Sequence, residues 1–483
     1  MKGNLNEAEI INYLHKMTNN KFVGFILKER IEVKKLEKFF GIYAEAIKPK
    51  NIRERIHAKI VGKAIEEGAK KFGVDSAIIK NMLKEPYMRK GFAVVVRSIA
   101  EYGITKPQKL IAPFMVVWDF TRQCNLKCKH CYANATSYPT KDELSLKEKL
   151  NVVNQLDEIG VAAIAFSGGE PLISKDFWKV AKYAFSKGFY LAVATNGTLI
   201  SEKIARRLKN IGIKYVEISL DGPNAKIHDK FRGIKGAFDA TIRGIKNAIA
   251  VGIDVGIATT ATKENIKHIP EIIKLARELK VKRFIVFNFV PTGKGKRIIK
   301  KDISPEEREN LMKYLYKEWK KGKMQIFSTS PSYARISITL MNKGAGDKFS
   351  PTHFAEIEIP KEFGGAAKAL TEFIGGCGAG RIYCSVEHNG DMQPCVFIPI
   401  KVGNAIKDGF GKVWRNSDVL NKLRDRDNEK FACYSCAFKY ICGGCRARAY
   451  AYYGNLLAPD PGCIFTKKYS KKINQKLIVG GLK

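Results

Sequence analysis

The chain has 483 residues, 45% of them hydrophobic, so one small core is excluded and two or three domains are expected. No uninterrupted apolar run of about 18 residues occurs, which argues against a membrane-spanning helix, and the start "MKGNLNEAEI" lacks a signal-peptide core, so a cytoplasmic protein is expected. The formal net charge is +38, from 85 Lys+Arg against 47 Asp+Glu, yet it is spread along the whole chain without a recognisable nucleic-acid motif, so a nucleic-acid partner is the less favoured reading and a lysine-rich surface the favoured one.

Residues 1–110 read as a basic, helical accessory region. "NNKFVGFILKERIEVKKLEKFFGIYAEAI" repeats apolar residues at helical spacing, and "YMRKGFAVVVRSIAEYGI" is a last helix before the linker "TKPQKLIAP". Residues 111–335 alternate apolar strands with amphipathic helices. The strands are "MVVWDF", "VAAIAFSGG", "YLAVATNG", "YVEISLDG", "DVGIATTAT" and "RFIVFNFVPTG". Six strand–helix units imply parallel pairing, an α/β fold and a partial (β/α)6 barrel, with functional residues at the carboxyl ends of the strands. A helix over "SPEERENLMKYLYKEWKKG" closes the series. Residues 336–374 are read as an irregular linker, and residues 375–483 are rich in cysteine.

The loop after the first strand reads "TRQCNLKCKHCYANA". Cys124, Cys128 and Cys131 lie in the spacing C-x3-C-x2-C. Structural zinc would want a fourth ligand, and His130 lies directly beside Cys131, which points its ring elsewhere. A four-iron–four-sulfur cluster on three cysteines instead leaves one iron open for a small molecule. This triplet, with a ring-bearing residue before its third cysteine, resembles the cluster motif of the radical S-adenosylmethionine (SAM) superfamily. "SGGEP" at the end of the second strand resembles that family's glycine-rich motif, with Gly168 standing 37 residues after Cys131. The resemblance implies that Cys124, Cys128 and Cys131 carry the catalytic cluster. It also implies that His130, Gly168, Gly169, Glu170, Pro171, Asn196, Ser219 and Arg232 bind or position SAM. Asn196 is equally well read as an Asx-turn residue. The chemistry implied is reductive cleavage of SAM to a 5′-deoxyadenosyl radical, with a low-potential donor such as ferredoxin or flavodoxin.

Eight cysteines remain. "CYSCAFKYICGGC" has the spacing C-x2-C-x5-C-x2-C, preceded by Cys377, Cys384 and Cys395 and followed by Cys463. This resembles the SPASM extension of radical SAM enzymes, although relatives more often have C-x3-C in the last pair. The resemblance assigns Cys377, Cys384, Cys395 and Cys445 to a first auxiliary cluster. It assigns Cys433, Cys436, Cys442 and Cys463 to a second, which makes three four-iron–four-sulfur clusters with closed auxiliary sites suited to electron transfer. The alternative is a zinc ribbon on Cys433, Cys436, Cys442 and Cys445, but ribbons usually separate their pairs by about 15–20 residues and the gap here is five.

"GDMQPCVFIPIKVGN", "CGGCRARAYAYYGNLLAPDPGC" and "FVPTGKGK" resemble stretches of haem-biosynthetic radical SAM enzymes, which act on the carboxylate side chains of siroheme-derived tetrapyrroles. The resemblance implies an anionic substrate, and Arg446 and Arg448 are candidates to grip its carboxylates. Val396 argues against a sulfatase-maturing enzyme, in which an aspartate is usual at that place. A peptide-modifying enzyme is the main alternative. An RNA-modifying radical enzyme and a non-catalytic electron carrier are the others, the last leaving "SGGEP", Ser219 and Arg232 without a purpose.

Overall fold

A computed structural model describes residues 31–71, 75–341, 348–352, 355–358 and 366–466, together with positions 24 and 26. The helical reading of the first thirty positions lies almost wholly outside these residues. Four helices open the described chain: α1 (Val33–Tyr43), α2 (Ile52–Lys71), α3 (Ser76–Met82) and α4 (Pro86–Tyr102). They bury Val33, Leu36, Phe40, Val61 and Val94 in a core of their own.

The barrel follows as β1 (Met115–Thr121), α5 (Leu146–Glu158), β2 (Ala163–Gly168), α6 (Phe177–Ser186), β3 (Tyr190–Thr195) and α7 (Glu202–Asn210). It continues through β4 (Ile213–Ser219), α8 (Ala225–Arg232), α9 (Ala237–Ala250), β5 (Asp254–Ala261), α10 (Ile269–Glu278), β6 (Arg283–Asn288) and α11 (Pro305–Lys320). Capping boxes at Ser145/Glu148 and Ser304/Glu307 set the starts of α5 and α11. The six strands pair in parallel and in sequential order.

The sheet is larger than six strands. β7 (Gln325–Ser328) follows α11 and pairs in parallel with β6. Its four residues are too short to show a period in sequence. α12 (Ser332–Leu340), the hairpin β8 (Lys348–Thr352) with β9 (Ala355–Glu358), and α13 (Ala366–Ile374) come next, so the described part of 336–374 is not wholly irregular. At the other edge, β10 (Tyr383–Val386) pairs in parallel with β1, and β11 (Asp391–Gln393) and β12 (Gly403–Asn404) extend it antiparallel. The cysteine-rich region is thus stitched into the barrel sheet. α14 (Phe410–Asn416), α15 (Asp418–Arg424) and α16 (Arg446–Tyr453) complete the described chain.

Alternation along the strands places the cores. Val116, Trp118, Phe120, Ile164, Phe166, Leu191 and Val193 face the helices in the main core. Their neighbours Val117, Ala165, Ala192, Ala194 and Ala258 face the lumen, where their small side chains leave space. The N-terminal helices close the strand-start end. Tyr87 meets the ring of Tyr190 edge-on at 5.2 Å, and Asp157 on α5 receives both Lys34, at 2.6 Å, and the fully buried Lys90.

Candidate active site: two cysteine sets on one cavity

A cavity of about 520 Å³ runs through the barrel lumen. Cys124, Cys128, His130, Cys131, Gly168, Gly169, Asn196, Ser219 and Arg232 all line it. Cys377, Cys395 and Cys445 line it as well, so two cysteine sets from distant parts of the chain face one space. Glu170 and Pro171 are buried but are not among its lining residues.

The loop after β1 is held open by donors aimed at sulfur. The backbone N–H of Leu126 donates to Cys124 Sγ at 3.4 Å, and that of Ala135 to Cys131 Sγ at 3.4 Å. Arg232 Nη1 reaches Cys128 Sγ at 3.7 Å while Nη2 pairs with Asp221 at 2.5 Å. Burial pushes the Cys124 thiol up to about 12, so the thiolate a metal centre needs must be stabilised by the centre itself. The Asn196 amide donates to Asn125 Oδ1 at 2.8 Å and lies 3.9 Å from Cys124 Sγ, while its oxygen accepts from the backbone N–H of Thr198 at 2.9 Å. Asn196 thus makes the Asx-type turn and stands on the cavity wall beside Cys124. The His130 ring packs on Phe231 at 4.4 Å, and burial together with Arg232 and His228 holds it well below its usual range, hence neutral.

The glycine-rich loop is built by close approach. A Cβ on Gly169 would stand 2.2 Å from the carbonyl oxygen of Gln123, and on Gly168, at φ +110°, 2.6 Å from that of Thr121. Gly169 N–H donates to Thr121 O at 2.7 Å and Glu170 N–H to Gln123 O at 2.8 Å, fixing the loop against the cysteine loop. The Glu170 carboxylate turns inward, where it accepts from the backbone N–H of Asn196 at 2.9 Å, from Leu172 at 3.2 Å and from the Thr195 hydroxyl at 2.8 Å. Glu170 is therefore a brace between the ends of β2 and β3. Burial raises its carboxyl to about 7 against the pull of these donors.

The second wall of the cavity corrects one expected ligand. Cys384 lies in β10 opposite Val116 and joins the helix-facing core, whereas its neighbour Tyr383 faces inward with Cys377, Cys395 and Cys445. The Tyr383 hydroxyl donates to Cys395 Sγ at 2.8 Å. Alternation along the strand sends Cys384 away from the set the resemblance gave it. The structure brings together three cysteines there, and not four. The second set sits apart from the cavity: Cys442 is buried, and Cys433, Cys436 and Cys463 are half-buried.

Arg448 and Arg446 are also not free to grip a ligand. Arg448 is fully buried and pairs with Asp302 at 2.8 Å and Asp460 at 3.1 Å, locking α16 to the loop before α11. Arg446 donates to the carbonyls of Leu456 at 2.9 Å and Ala458 at 2.7 Å. A group that the sequence reading missed is Tyr132, the residue after the triplet. Its hydroxyl meets Ser167 Oγ at 2.7 Å and Asp119 Oδ1 at 3.1 Å, and its ring meets Phe397 at 5.0 Å. Its place directly after Cys131 was the available signal.

No three His, Cys, Asp or Glu side chains among the described residues converge tightly enough for a single metal ion.

The sequence model of the Radical SAM superfamily matches residues 118–276, and that of the SPASM iron–sulfur cluster-binding domain matches residues 377–437. An AdoMet-dependent heme synthase of Methanosarcina barkeri is 35% identical over 355 residues, covering 73% of this chain and 97% of that protein. The chain belongs to the radical SAM superfamily. A second relative of this radical SAM enzyme, the pre-heme d1 synthase of Dinoroseobacter shibae, is 31% identical over 356 residues, covering 73% of this chain and 86% of that protein. Streptococcus suis SuiB bound to S-adenosylmethionine shares the fold at a TM-score of 0.63 and 21% identity, covering 90% of this chain and 94% of SuiB. The radical SAM enzyme thus uses SAM and iron–sulfur clusters, and the residues gathered at the cysteine loop fit them: sulfur-directed N–H groups, a neutral histidine and an arginine. No helix among the described residues is long and apolar enough to cross a membrane.

Proposed function

We propose that this radical SAM enzyme oxidatively modifies the carboxylate side chains of a siroheme-derived tetrapyrrole, and that it holds three four-iron–four-sulfur clusters. The observation that carries the reading is the shared cavity. Cys124, Cys128 and Cys131 stand on one wall, Cys377, Cys395 and Cys445 on another, and a substrate between them lies within reach of both. Reduced cluster and SAM, when bound, supply the 5′-deoxyadenosyl radical that removes a hydrogen atom from substrate carbon.

The chain's own residues orient and seal. Gly168 and Gly169 let backbone approach the SAM site, Glu170 fixes that loop, and Arg232 brings positive charge beside Cys128. Tyr87, Tyr190 and Tyr215 line the strand-start end of the lumen, beside the N-terminal helices that pack over it. Lys294, in the "FVPTGKGK" loop, lines the same cavity, and its ammonium donates to the carbonyl of Ala135. It makes no ion pair with a carboxylate among the described residues, which suits it to an anionic side chain of the substrate. The tetrapyrrole class is supported by the two relatives above, a heme synthase and a pre-heme d1 synthase, which share over 30% identity with this chain across most of their length.

The test is a titration of anaerobically purified, cluster-loaded protein with siroheme-derived tetrapyrroles, following the Soret band. SAM and a low-potential reductant are then added and loss of mass from acetate or propionate groups is sought. Binding followed by that mass loss is the expected result. No Soret change with any tetrapyrrole, together with modification of a short peptide, transfers the enzyme to the peptide-modifying class.

A further inference from the structure

Four buried arginines pair with carboxylates: Arg232 with Asp221, Arg308 with Asp302, Arg335 with Glu309, and Arg448 with Asp302 and Asp460. Among the buried arginines that make no such pair in the described residues, which also include Arg89, Arg424 and Arg446, two meet at one point: Arg381 and Arg426. They are 1% and 3% exposed, and neither has a carboxylate within ion-pair distance among the described residues. Arg426 donates from Nη2 to the carbonyl of Cys377 at 3.1 Å and from Nη1 to that of Gly443 at 3.4 Å. Arg381 Nη2 lies 3.5 Å from the same Cys377 carbonyl. Two buried guanidinium groups therefore converge on one peptide oxygen, and each opposes the other's charge. Burial first, and Arg426 second, bring Arg381 down to about 9.

Unpaired cations in a protein interior are costly, and natural interiors pair them. The groups of opposite potential charge around these two are thiols. Arg426 holds the carbonyl of Cys377, in the inner set, and that of Gly443, directly after Cys442 of the outer set, and Arg381 reaches the same Cys377 carbonyl. These contacts reach both auxiliary sets, so Arg426 stands between them. A cluster held by thiolates is anionic, and it gains one further negative charge on accepting an electron. A fixed guanidinium nearby, in surroundings of low dielectric, favours the more negative, reduced form.

We infer that Arg381 and Arg426 are the counter-charges of the auxiliary clusters and raise their reduction potentials, so that these clusters accept the electron released when the substrate is oxidised. The step is a one-electron transfer: the substrate radical left by hydrogen-atom loss is oxidised, and an auxiliary cluster is reduced. The inference rests on the three-cluster reading above and adds to it two residues that are not ligands.

The experiment compares wild type, Arg381→Gln, Arg426→Gln, Arg381→Lys and Arg426→Lys as anaerobic, cluster-loaded holoenzymes. Iron and sulfide per chain are measured first, then midpoint potentials by redox titration followed by electron paramagnetic resonance. The Gln variants are expected to keep their iron and to shift the auxiliary potentials to more negative values. The Lys variants should return them toward wild type, with the SAM-binding cluster unmoved throughout. Loss of iron in the Gln variants but not in the Lys variants supports the same role, because charge is then what the clusters need. Unmoved potentials in iron-replete Gln variants overturn the inference, and so does loss of iron in the Lys variants, which would make shape the requirement. A wild-type content of about four irons per chain would instead defeat the three-cluster reading itself.

Discussion

The backbone N–H of Cys377 donates to the carbonyl of Cys442 at 3.1 Å, so one peptide contact joins the cavity-facing cysteine set to the outer one. The outer set is half-exposed at Cys433, Cys436 and Cys463, and beside it the rings of Phe438 and Phe465 stack at 6.2 Å. The order from cavity to surface is therefore inner set, Cys377–Cys442 contact, outer set. In the three-cluster reading proposed above, this order would give an electron taken from the substrate a route outward, toward the Phe438–Phe465 pair.

Replacing Cys436 and Cys463 by Ser is expected to remove about four irons per chain, one cluster's worth. The first cysteine loop is distant in sequence and faces the cavity independently, so formation of 5′-deoxyadenosine from SAM under dithionite should continue. Product should fall at least tenfold, because the electron has no exit. Iron analysis and chromatography of both products decide it. Loss of SAM cleavage in an otherwise folded variant would refute this route.

Cys384→Ala is expected to keep the iron content of wild type, while Cys395→Ala loses about four irons. Cys384 faces the helix-side core beside Val116 and Trp118, so its replacement removes one small buried group, at a cost of about 1 kcal/mol. A Cys384→Ala protein with wild-type stability and about four irons fewer would show that the strand inverts when the cluster is built.

How the sequence spoke about these cysteines depends on distance along the chain. Cys124, Cys128 and Cys131 fall in one loop, so their spacing alone announces the site, and Gly168, Gly169, Asn196 and Ser219 were readable as strand-end residues of a repeating unit. The direction of Cys384 is set by the pairing of β10 with β1, and no local pattern contains that register. β7 is too short to carry a period. Arg448 looked available beside "CGGC" because its partners, Asp302 and Asp460, come from other segments. Positions 336–374 looked irregular because glycine and short elements hide the described helix α13.

Glu170→Gln keeps the shape of the brace but replaces one carboxylate oxygen with a donor that faces the donors from Asn196, Leu172 and Thr195. The loss of one buried charge-assisted acceptor costs about 1–3 kcal/mol. The loop it steadies carries Gly168 and Gly169 on the cavity wall, so SAM affinity should fall by about tenfold, equivalent to ~1.4 kcal/mol. The first cluster should remain, since no ligand is touched. Equilibrium dialysis with SAM and the iron count separate the two effects, and unchanged SAM affinity would remove Glu170 from the positioning role.

Glu217 lies on the lumen face of β4, and burial raises its carboxyl to about 7, with the neighbouring Tyr215 hydroxyl opposing. In the unfolded chain such a carboxyl titrates near ~4.3. Between about pH 4.5 and 7 the folded protein therefore holds a proton that the unfolded chain has released. This contribution to stability is fully present below that window and is lost as pH rises through about 7. Glu217→Gln stays neutral throughout, so its melting temperature in the anaerobic holoprotein should fall less than that of wild type between about pH 5 and 8. The difference should be about 1–2 kcal/mol, reduced from the full shift because water reaches the cavity. Glu170 is raised with the same sign, so part of the slope should persist in the variant. An anionic substrate entering the lumen should also prefer the neutral carboxyl. Its binding should weaken above about pH 7 in wild type and flatten in Glu217→Gln. Identical pH profiles for the two proteins, in melting and in binding, would show that Glu217 is already ionised in the folded state.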